Sequence, residues 1–337
     1  MPGARLILVL SPGLDAEAIA RAEQAVRRAG ADPRRLVAEG DRVAIEASGL
    51  DRTHAADVPG VAYVLDGSPR YPRVARKGEG TRVVTVRGVP IGGPRVVLMA
   101  GPCAVEHEGQ LEECARAARE AGADLLRGGA FKPRTSPYSF QGLGDDGLRL
   151  LREAADRHHL AVVTEVLDAS AVGLVAEYAD MLQVGSRNMQ NSALLRAVGR
   201  QSRPVLLKRG MSATLDEWLL AAEYIADAGN EDIVLCERGV RTFDPASRNL
   251  LDLAAVPLLR DRTHLPIAVD PSHGVGVRSA IGPMTMAAVA AGADAVMIEC
   301  HPDPGTAKSD GFQALTPKEL VRIGAGLRAV ATAVGRS

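Results

Sequence analysis

From residue 95 onward the sequence repeats one pattern: a short, almost wholly apolar run followed by a longer segment with helical spacing. The apolar runs are RVVLMA (95–100), DLLRG (124–128), LAVVTEV (160–166), DMLQVG (180–185), PVLLK (204–208), DIVLCE (232–237), LPIAVD (265–270) and DAVMIE (294–299). Strands that are apolar throughout are typical of parallel sheets, because both faces of such sheets are covered. The intervening segments predict helices at 108–121, 145–158, 169–178, 191–198, 215–228, 249–259, 279–291 and 317–334.

Eight βα units in about 240 residues predict an α/β fold of the (β/α)8 TIM-barrel type. An open, doubly wound sheet is the alternative for the same alternation of strands and helices. That alternative often carries a G-x-x-x-x-G-K phosphate loop, and the sequence has none. We therefore assign residues 95–337 to a catalytic barrel.

Residues 1–66 have a different pattern and predict a separate small domain. A strand (RLILVL), a helix at 15–29, two strands (RLVAE and RVAIEA) around Gly40-Asp41, a short helical segment near 52–57 and a last strand (VAYVLD) follow one another. This β-α-β-β-α-β order is that of a ferredoxin-like fold. Residues 67–94 then predict a linker rich in proline, glycine and arginine, followed by a small entrance hairpin built from RVVTV and VPI.

Composition excludes several classes of protein. The net charge of −1 gives no reason to expect a nucleic-acid partner or a membrane surface. No apolar run approaches the roughly 18 residues of a membrane span, and the run at 6–10 is too short for the core of a signal peptide. The four cysteines are widely spaced without a C-x-x-C motif, which argues against a disulfide framework. We expect a cytoplasmic protein.

Cationic side chains follow several of the predicted strands. In a TIM barrel the carboxyl ends of the strands meet at one face, where active sites lie. The cations expected at that face are Arg127, Lys132, Arg187, Lys208 and Arg238. Such a group would repel itself unless a multiply anionic ligand neutralised it, so we expect a ligand with a phosphate, or with a phosphate and a carboxylate. Only five of the 40 basic residues are lysines, which suggests that Lys132 and Lys208 are needed as compact ammonium groups.

A second group combines a thiol, an imidazole and two carboxylates at or near the ends of the first, seventh and eighth strands. Its members are Cys103, His273, Glu299 and Asp310. Sulfur, nitrogen and oxygen donors together suit a divalent transition metal. Taken singly, the cysteine could equally be a core residue and the aspartate a loop residue. The other cysteines, Cys114, Cys236 and Cys300, are expected to be packing residues.

Several long segments together resemble one enzyme family. They are AGPCAVE, LRGGAFKPRTSPYSFQGLG, QVGSRNMQN, LLKRGM, LCERGVRTF and VDPSHGVG. The chain is similar over essentially its whole length to the 3-deoxy-D-arabino-heptulosonate 7-phosphate synthases, and most similar to the bacterial form with an N-terminal ferredoxin-like domain. One small departure is Ser186, where many relatives have alanine.

The resemblance implies a transferase that condenses phosphoenolpyruvate with erythrose 4-phosphate in the first step of the shikimate pathway. It implies that the five cations bind phosphoenolpyruvate and that the Cys/His/Glu/Asp group holds a divalent metal ion, Mn²⁺ or similar. Arg134, Thr135 and Asp310 would bind the aldose phosphate. Lys132, with Cys103 and His273, would be catalytic, with Lys132 passing a proton to the aldehyde oxygen. Glu165 is a candidate for handling the attacking water.

Two other functions remain to be weighed. The 3-deoxy-D-manno-octulosonate 8-phosphate synthases resemble this chain in their phosphoenolpyruvate site, but typically have Lys-Ala-Asn-Arg-Ser where this chain has Lys-Pro-Arg-Thr-Ser. A non-catalytic sensor of phosphorylated metabolites would be expected to lose the metal ligands first. We expect a homotetramer whose residues 1–66 bind a tyrosine or phenylalanine effector, although that domain could be purely structural.

Overall fold

The eight apolar runs form eight parallel strands that close into one barrel. This computed structural model describes residues 5–37, 43–67, 70–76, 78–133 and 136–337. The barrel strands are β7 (Val97–Gly101), β8 (Leu125–Arg127), β9 (Ala161–Val166), β10 (Met181–Val184), β11 (Val205–Lys208), β12 (Ile233–Glu237), β13 (Ile267–Val269) and β14 (Ala295–Glu299). Neighbours in the barrel are consecutive in sequence, and β14 pairs with β7 to close it. The predicted barrel is confirmed, and the open sheet is excluded.

Helices lie between the strands at nearly the predicted places. They are α3 (Glu108–Glu120), α4 (Asp145–Arg157), α5 (Val172–Tyr178), α6 (Ser192–Gly199), α7 (Leu215–Asp227), α8 (Ala255–Arg260), α9 (Pro271–Val275), α10 (Arg278–Ala290) and α11 (Pro317–Ala333). Thr214 and Thr316 open α7 and α11 with capping boxes, in which each threonine and a glutamate three residues later satisfy each other's backbone N–H groups.

Two helices depart from the prediction. The helix expected at 249–259 begins only at Ala255, because the residues before it are held in other contacts. Asn249 donates to the His273 carbonyl over 3.0 Å, and Asp252 accepts from Arg209 over 2.9 Å. The second departure is α9, which forms where a loop was expected. Asp270 caps it and a proline occupies its first turn, a favourable start for a helix.

A hairpin of β5 (Val84–Val86) and β6 (Val89–Ile91) packs against the apolar interior of the barrel. Its buried side chains join one core cluster with residues such as Met99 and Met297. Cys236 belongs to the same cluster, in keeping with a packing role. The strand residues of this cluster come mainly from the first halves of the strands. The hairpin therefore covers the amino ends, and the carboxyl ends remain for the site.

The first seventy or so residues form a unit of their own: the chain divides into Met1–Pro72 and Arg73–Ser337. The smaller unit contains β1 (Arg5–Leu10), α1 (Ala16–Arg28), β2 (Asp32–Val37), β3 (Val43–Ser48), α2 (Arg52–Ala56) and β4 (Val61–Asp66). Its sheet has the order β2-β3-β1-β4, with antiparallel neighbours throughout. This is the ferredoxin-like arrangement expected from the sequence. The turn expected around Gly40-Asp41 lies outside the described residues.

The larger unit begins at Arg73, so it contains the hairpin and part of the segment interpreted as linker. The backbone N–H groups of Arg73 and Val74 donate to the Glu223 carboxylate on α7 at 3.0 to 3.1 Å. Thr263 donates to the Val74 carbonyl over 2.5 Å. These contacts tie residues 73–74 to the barrel.

Candidate active site

The carboxyl ends of the strands surround a cavity of about 320 Å³. The side chains proposed from the sequence that line it are Arg127, Lys132, Glu165, Arg187, Lys208, Arg238, His273 and Asp310. Cys103 and Glu299 are buried beside it, with 4% and 0% exposure. The structure thus brings the cationic group and the Cys/His/Glu/Asp group to a single place, although their sequence positions span two hundred residues.

The four candidate metal ligands form one compact group. Their ligand atoms, from Cys103, His273, Glu299 and Asp310, all lie within 4.8 Å of one another. The Cys103 sulfur is 3.3 Å from Asp310 Oδ2, and His273 Nε2 is 3.0 Å from Glu299 Oε1. One thiol, one imidazole and two carboxylates at this spacing could hold a divalent transition metal ion.

Asp270 orients the histidine of this group. One of its carboxylate oxygens accepts the His273 backbone N–H over 3.0 Å, and the other lies 2.7 Å from His273 Nδ1. With Nδ1 occupied, Nε2 faces Glu299, which is the carboxylate–histidine arrangement common at metal sites. Burial lowers the pKa of His273, but the charges of Asp270 and Glu299 outweigh it and raise that pKa to about 10. Burial raises the pKa of Asp270, yet the nearby His273 and Lys208 cations hold it well below its usual range.

Lys132 lies against the cysteine. Its ammonium group donates to the Cys103 carbonyl over 2.9 Å and to the sulfur over 3.1 Å. Burial lowers the pKa of Lys132, but the negative charges of Cys103, Glu165 and Glu299 raise it above its ordinary value. The side chain is therefore a buried cation at neutral pH, close to the four candidate metal ligands and to the cavity.

Two of the five cations are already paired with carboxylates. Arg127 contacts Glu299 Oε1 over 2.6 Å, and Lys208 pairs with Asp270. The expectation that all five require an anionic ligand is therefore wrong in part, because buried carboxylates neutralise these two. Burial lowers the pKa of Arg127, but the nearby Glu299, Cys103 and Asp270 charges raise it above its ordinary range. Within the described part of the chain, Arg127 Nε is buried without a hydrogen-bond partner, which leaves one donor for a ligand.

The remaining cations are held differently. Arg238 donates to the carbonyl oxygens of Gly239 and His273 at 3.4 and 3.2 Å, and burial lowers its pKa. Arg187 lies on a single 3-10 turn after β10, where it is exposed and lines the cavity. Neither contact of Arg238 neutralises its charge, so an anion in the cavity would be attracted to this side.

Glu165 occupies space that is free because residue 185, which lies next to it, is a glycine. A Cβ atom on Gly185 would lie 1.9 Å from Glu165 Oε1. Gln183 donates to Glu165 Oε2 over 3.3 Å. Glycine at the end of β10 therefore makes room for this carboxylate at the wall of the cavity.

The loop after β8 is shaped by its own glycines. Gly142 has a φ of +99°, and a Cβ there would lie 2.0 Å from the Ala130 carbonyl oxygen. The Lys132 backbone N–H donates to Gln141 over 2.9 Å, which folds the loop back on itself. Pro133 lines the cavity, while Arg134 and Thr135 lie outside the described residues.

Comparison with known proteins identifies the family of this chain. A profile of the DAHP synthetase I family matches residues 80–335. The chain belongs to this family. A phospho-2-dehydro-3-deoxyheptonate aldolase of Thermotoga maritima is 53% identical over 243 residues, which are 71% of this chain and 72% of that protein. A crystal structure of phospho-2-dehydro-3-deoxyheptonate aldolase (DAHP synthase) from the same bacterium superposes with a TM-score of 0.80 at 42% identity, covering 99% of each chain.

A less similar relative has a different name. A 2-dehydro-3-deoxyphosphooctonate aldolase of Koribacter versatilis is 34% identical over 254 residues, which are 70% of this chain and 91% of that protein. The family resemblance inferred from the motifs is confirmed. Among the described residues, no helix is long and apolar enough to cross a membrane.

Three further residues lie at this candidate site without having been predicted from the sequence. Asp270 is the first of them, although an aspartate before a proline and three residues before a histidine is a recognisable helix start. Arg248 lines the cavity from the irregular segment after β12. Gln313 is fully buried beside Glu299. No sequence pattern identified the last two, because both lie in loops.

Proposed function

We propose that this chain condenses phosphoenolpyruvate with erythrose 4-phosphate and water, giving 3-deoxy-D-arabino-heptulosonate 7-phosphate and inorganic phosphate. This is the first step of the shikimate pathway. The observation that carries the proposal is the single cavity shared by buried cations and a Cys/His/Glu/Asp group. It supports a reaction between an anionic substrate and a carbonyl compound.

Phosphoenolpyruvate is assigned to the cationic wall of the cavity. Arg127, Lys132, Arg187, Lys208 and Arg238 are its proposed binding residues. Among the described residues, Arg127 Nε has no hydrogen-bond partner, and the hydrogen bonds of Arg238 go to uncharged carbonyl oxygens. These observations support the assignment, since both groups gain from a phosphate or carboxylate oxygen. The paired cations, Arg127 and Lys208, are held in place before the substrate arrives.

Cys103, His273, Glu299 and Asp310 are the proposed ligands of a divalent ion, Mn²⁺ or similar. When bound, such an ion polarises the aldehyde oxygen as a Lewis acid. The donor set fits because every member presents an atom to one small space. Arg127 contacts Glu299 and, although burial raises the pKa of that carboxyl, its positive charge helps to hold that pKa well below its usual range. Lys132 donates a hydrogen bond to the Cys103 sulfur.

Lys132 is the proposed proton donor. As C3 of phosphoenolpyruvate bonds to the aldehyde carbon, the carbonyl electron pair moves to oxygen, which takes a proton from the Lys132 ammonium group. Cys103 and His273 take part only as ligands. Water then adds to C2, where positive charge has developed, and gives a hydroxyl beside the phosphate ester. The C2–O bond to phosphate breaks as the hydroxyl oxygen forms the C2=O double bond, and the hydroxyl proton leaves with the phosphate. Glu165, at the cavity wall, is placed to accept a proton from that water.

Arg134, Thr135 and Asp310 are the proposed residues for the aldose. Pro133, whose φ is fixed, lines the cavity directly before the first two of them in the sequence. This short Lys-Pro-Arg-Thr segment favours a four-carbon aldose phosphate. The alternative is a five-carbon aldose, which would give an eight-carbon product with phosphoenolpyruvate. A phosphooctonate is what the name of the Koribacter versatilis relative mentions. A non-catalytic sensor is disfavoured because all four candidate ligands are present and adjacent.

Product identification tests the proposal. The Mn²⁺-loaded protein is offered phosphoenolpyruvate with erythrose 4-phosphate or with arabinose 5-phosphate, and the sugar product and released phosphate are measured. We expect the seven-carbon product, with little turnover of the five-carbon aldose. Comparable turnover of arabinose 5-phosphate would contradict the substrate assignment, and no turnover of either aldose would favour the sensor.

Regulation and assembly belong to the same proposal. Every proposed catalytic residue lies in the larger unit, so residues 1–66 are not needed for the chemistry. We assign them a tyrosine- or phenylalanine-binding role, residues 67–94 a linking role, and residues 95–337 the catalysis. The proposed assembly is a cytoplasmic homotetramer.

A further inference from the structure

Gln313 and Arg248 join two of the carboxylates in the candidate metal group. Gln313 Nε2 donates to Glu299 Oε2, while Gln313 Oε1 accepts from Arg248 Nη1 over 2.9 Å. The same nitrogen of Arg248 contacts Asp310 Oδ1 over 3.3 Å. A continuous chain of polar contacts therefore runs from Glu299 through Gln313 and Arg248 to Asp310.

The chemistry of these partners requires an amide in the middle of this chain. An ionised carboxylate only accepts hydrogen bonds, and a guanidinium only donates them. Gln313 lies between the Glu299 carboxylate and the Arg248 guanidinium. Its NH₂ group must therefore face Glu299, and its oxygen must face Arg248. Gln313 is completely buried. Loss of either contact would leave a buried polar group unsatisfied, which fixes the side chain in one orientation.

Each carboxylate has one oxygen turned toward the metal group and the other toward this chain of contacts. Glu299 presents Oε1 to His273, and Asp310 presents Oδ2 to Cys103. Their second oxygens, Oε2 and Oδ1, are the ones held by Gln313 and Arg248. This division sets the rotation of both carboxylates.

Asp310 has particular need of such support. Its backbone φ is +50°, which lies in the left-handed region that residues other than glycine adopt only uncommonly. A turn in which Gln313 N–H donates to the Asp310 carbonyl over 3.1 Å helps to hold that conformation. The Arg248 contact then fixes the carboxylate at the end of this unusual backbone.

Arg248 is itself anchored to the segment that carries His273. Its backbone N–H donates to the Val275 carbonyl over 2.9 Å. A Cβ on Gly276 would lie 2.5 Å from the Arg248 Cβ, so glycine is needed for this close approach. Through its backbone and side chain, Arg248 links the His273 segment to Asp310 and Gln313.

We propose that Gln313 and Arg248 are positioning residues that set the geometry of the metal ligands Glu299 and Asp310. This inference rests on the metal assignment made under the proposed function. Neither residue is expected to contact the ion. Contacts of this kind are worth about 10- to 100-fold in metal affinity.

The test uses Mn²⁺ itself and does not depend on turnover. The full chain is freed of metal with a chelator, and its Mn²⁺ dissociation constant is measured by calorimetry for the unmodified protein, Gln313→Leu and Arg248→Met. Both substitutions preserve side-chain bulk and remove the polar contacts. We expect affinity to fall about 10- to 100-fold in each. Co²⁺ absorption should change as well, because its visible bands report the arrangement of ligands around the ion.

Two further variants keep the test decisive. Arg241→Met removes an exposed guanidinium from the same segment and should leave affinity and spectrum unchanged. Arg248→Lys retains a cation that can donate to both oxygens, and should recover part of the lost affinity. Recovery would separate positioning from a general loss of folding, which the melting temperature also monitors.

The outcomes separate this inference from the proposed function. Tight Mn²⁺ binding by the unmodified protein, with unchanged affinity and Co²⁺ spectrum in folded Gln313→Leu or Arg248 variants, overturns the positioning role alone. Absence of Mn²⁺ binding by the unmodified protein overturns both the metal assignment and this inference.

Discussion

Mn²⁺ binding to the metal-free enzyme should strengthen steeply as pH rises, because the ion must displace a proton from His273. Burial alone would lower the pKa of this imidazole, but the charges of Asp270 and Glu299 raise it to about 10. Below that pH the metal-free protein holds His273 as a cation, with Nδ1 bound to Asp270 and Nε2 next to Glu299. Only the neutral ring can bind a metal through Nε2.

The size of the effect follows from that pKa. A raised pKa means that protons compete with the metal at every pH below about 10. Each pH unit then changes the apparent affinity about tenfold, or ~1.4 kcal/mol. Between pH 6.5 and 8.5, affinity should rise about 100-fold through His273 alone. The rise should be larger if Cys103 binds as a thiolate, because the thiol then also releases its proton.

Calorimetric titration of the chelator-treated protein with Mn²⁺ measures this directly. Repeating the titration in buffers of different ionisation enthalpy gives the number of protons released per ion, which we expect to be about one or more at pH 7. In Asp270→Asn, the pKa of His273 should fall because only Glu299 still raises it, so the proton release from His273 should be smaller than in the unmodified protein at the same pH. A flat affinity between pH 6.5 and 8.5 with no proton release would refute this reasoning.

Two controls define the source of the protons. His158→Gln changes a histidine that pairs with Glu112 on the helical layer, and should leave the proton count unchanged. Cys103→Ala should lower both the affinity and the number of protons released, because one donor atom is lost. An unchanged Mn²⁺ affinity in this variant would exclude the sulfur as a ligand.

Three further predictions concern turnover and regulation. Lys132→Arg should reduce turnover about 100-fold or more, since a guanidinium is a poor proton donor, whereas Lys318→Arg on the exposed surface of α11 should be silent in the same steady-state assay. Gly185→Ala should displace Glu165 and reduce turnover about 100-fold. Gly173→Ala on α5, where a Cβ meets nothing within 4 Å, is its control, and equal turnover of the two alanine variants would count against a role for Glu165. Deleting the N-terminal unit should leave an active barrel that no longer responds to tyrosine or phenylalanine; inhibition that persists after the deletion would assign effector binding to the barrel.

The spacing of apolar residues along the sequence predicts the fold of this protein. Each barrel strand comes from a run of five to seven largely apolar residues, and a parallel sheet covered on both faces is the arrangement that buries such runs completely. The β-α-β-β-α-β order of the first 66 residues similarly led to the ferredoxin-like sheet. The sequence of the segment alone does not explain where helix α8 begins. Asn249 and Asp252 are drawn into contacts with His273 and Arg209, and the helix starts only after them.

The location of the candidate site could be predicted for a related reason. Parallel strands place their carboxyl ends at one face, so residues that directly follow the strands must converge there. Arg127, Lys132 and His273 were recognised in this way, and they do line one cavity. The family resemblance then supplied chemical roles that the positions alone left open.

The tertiary structure alone decided which charges meet. Arg127 could have faced solvent or substrate, but its side chain lies against Glu299, and Lys208 lies against Asp270. Gln313 and Arg248 contact the metal group although neither lies at a strand end. Their placement depends on loop paths, on the left-handed backbone of Asp310 and on the side-chain rotamers of residues distant in sequence. Periodicity constrains the backbone of strands and helices, whereas the pairing of buried charges is settled only when the loops are packed together.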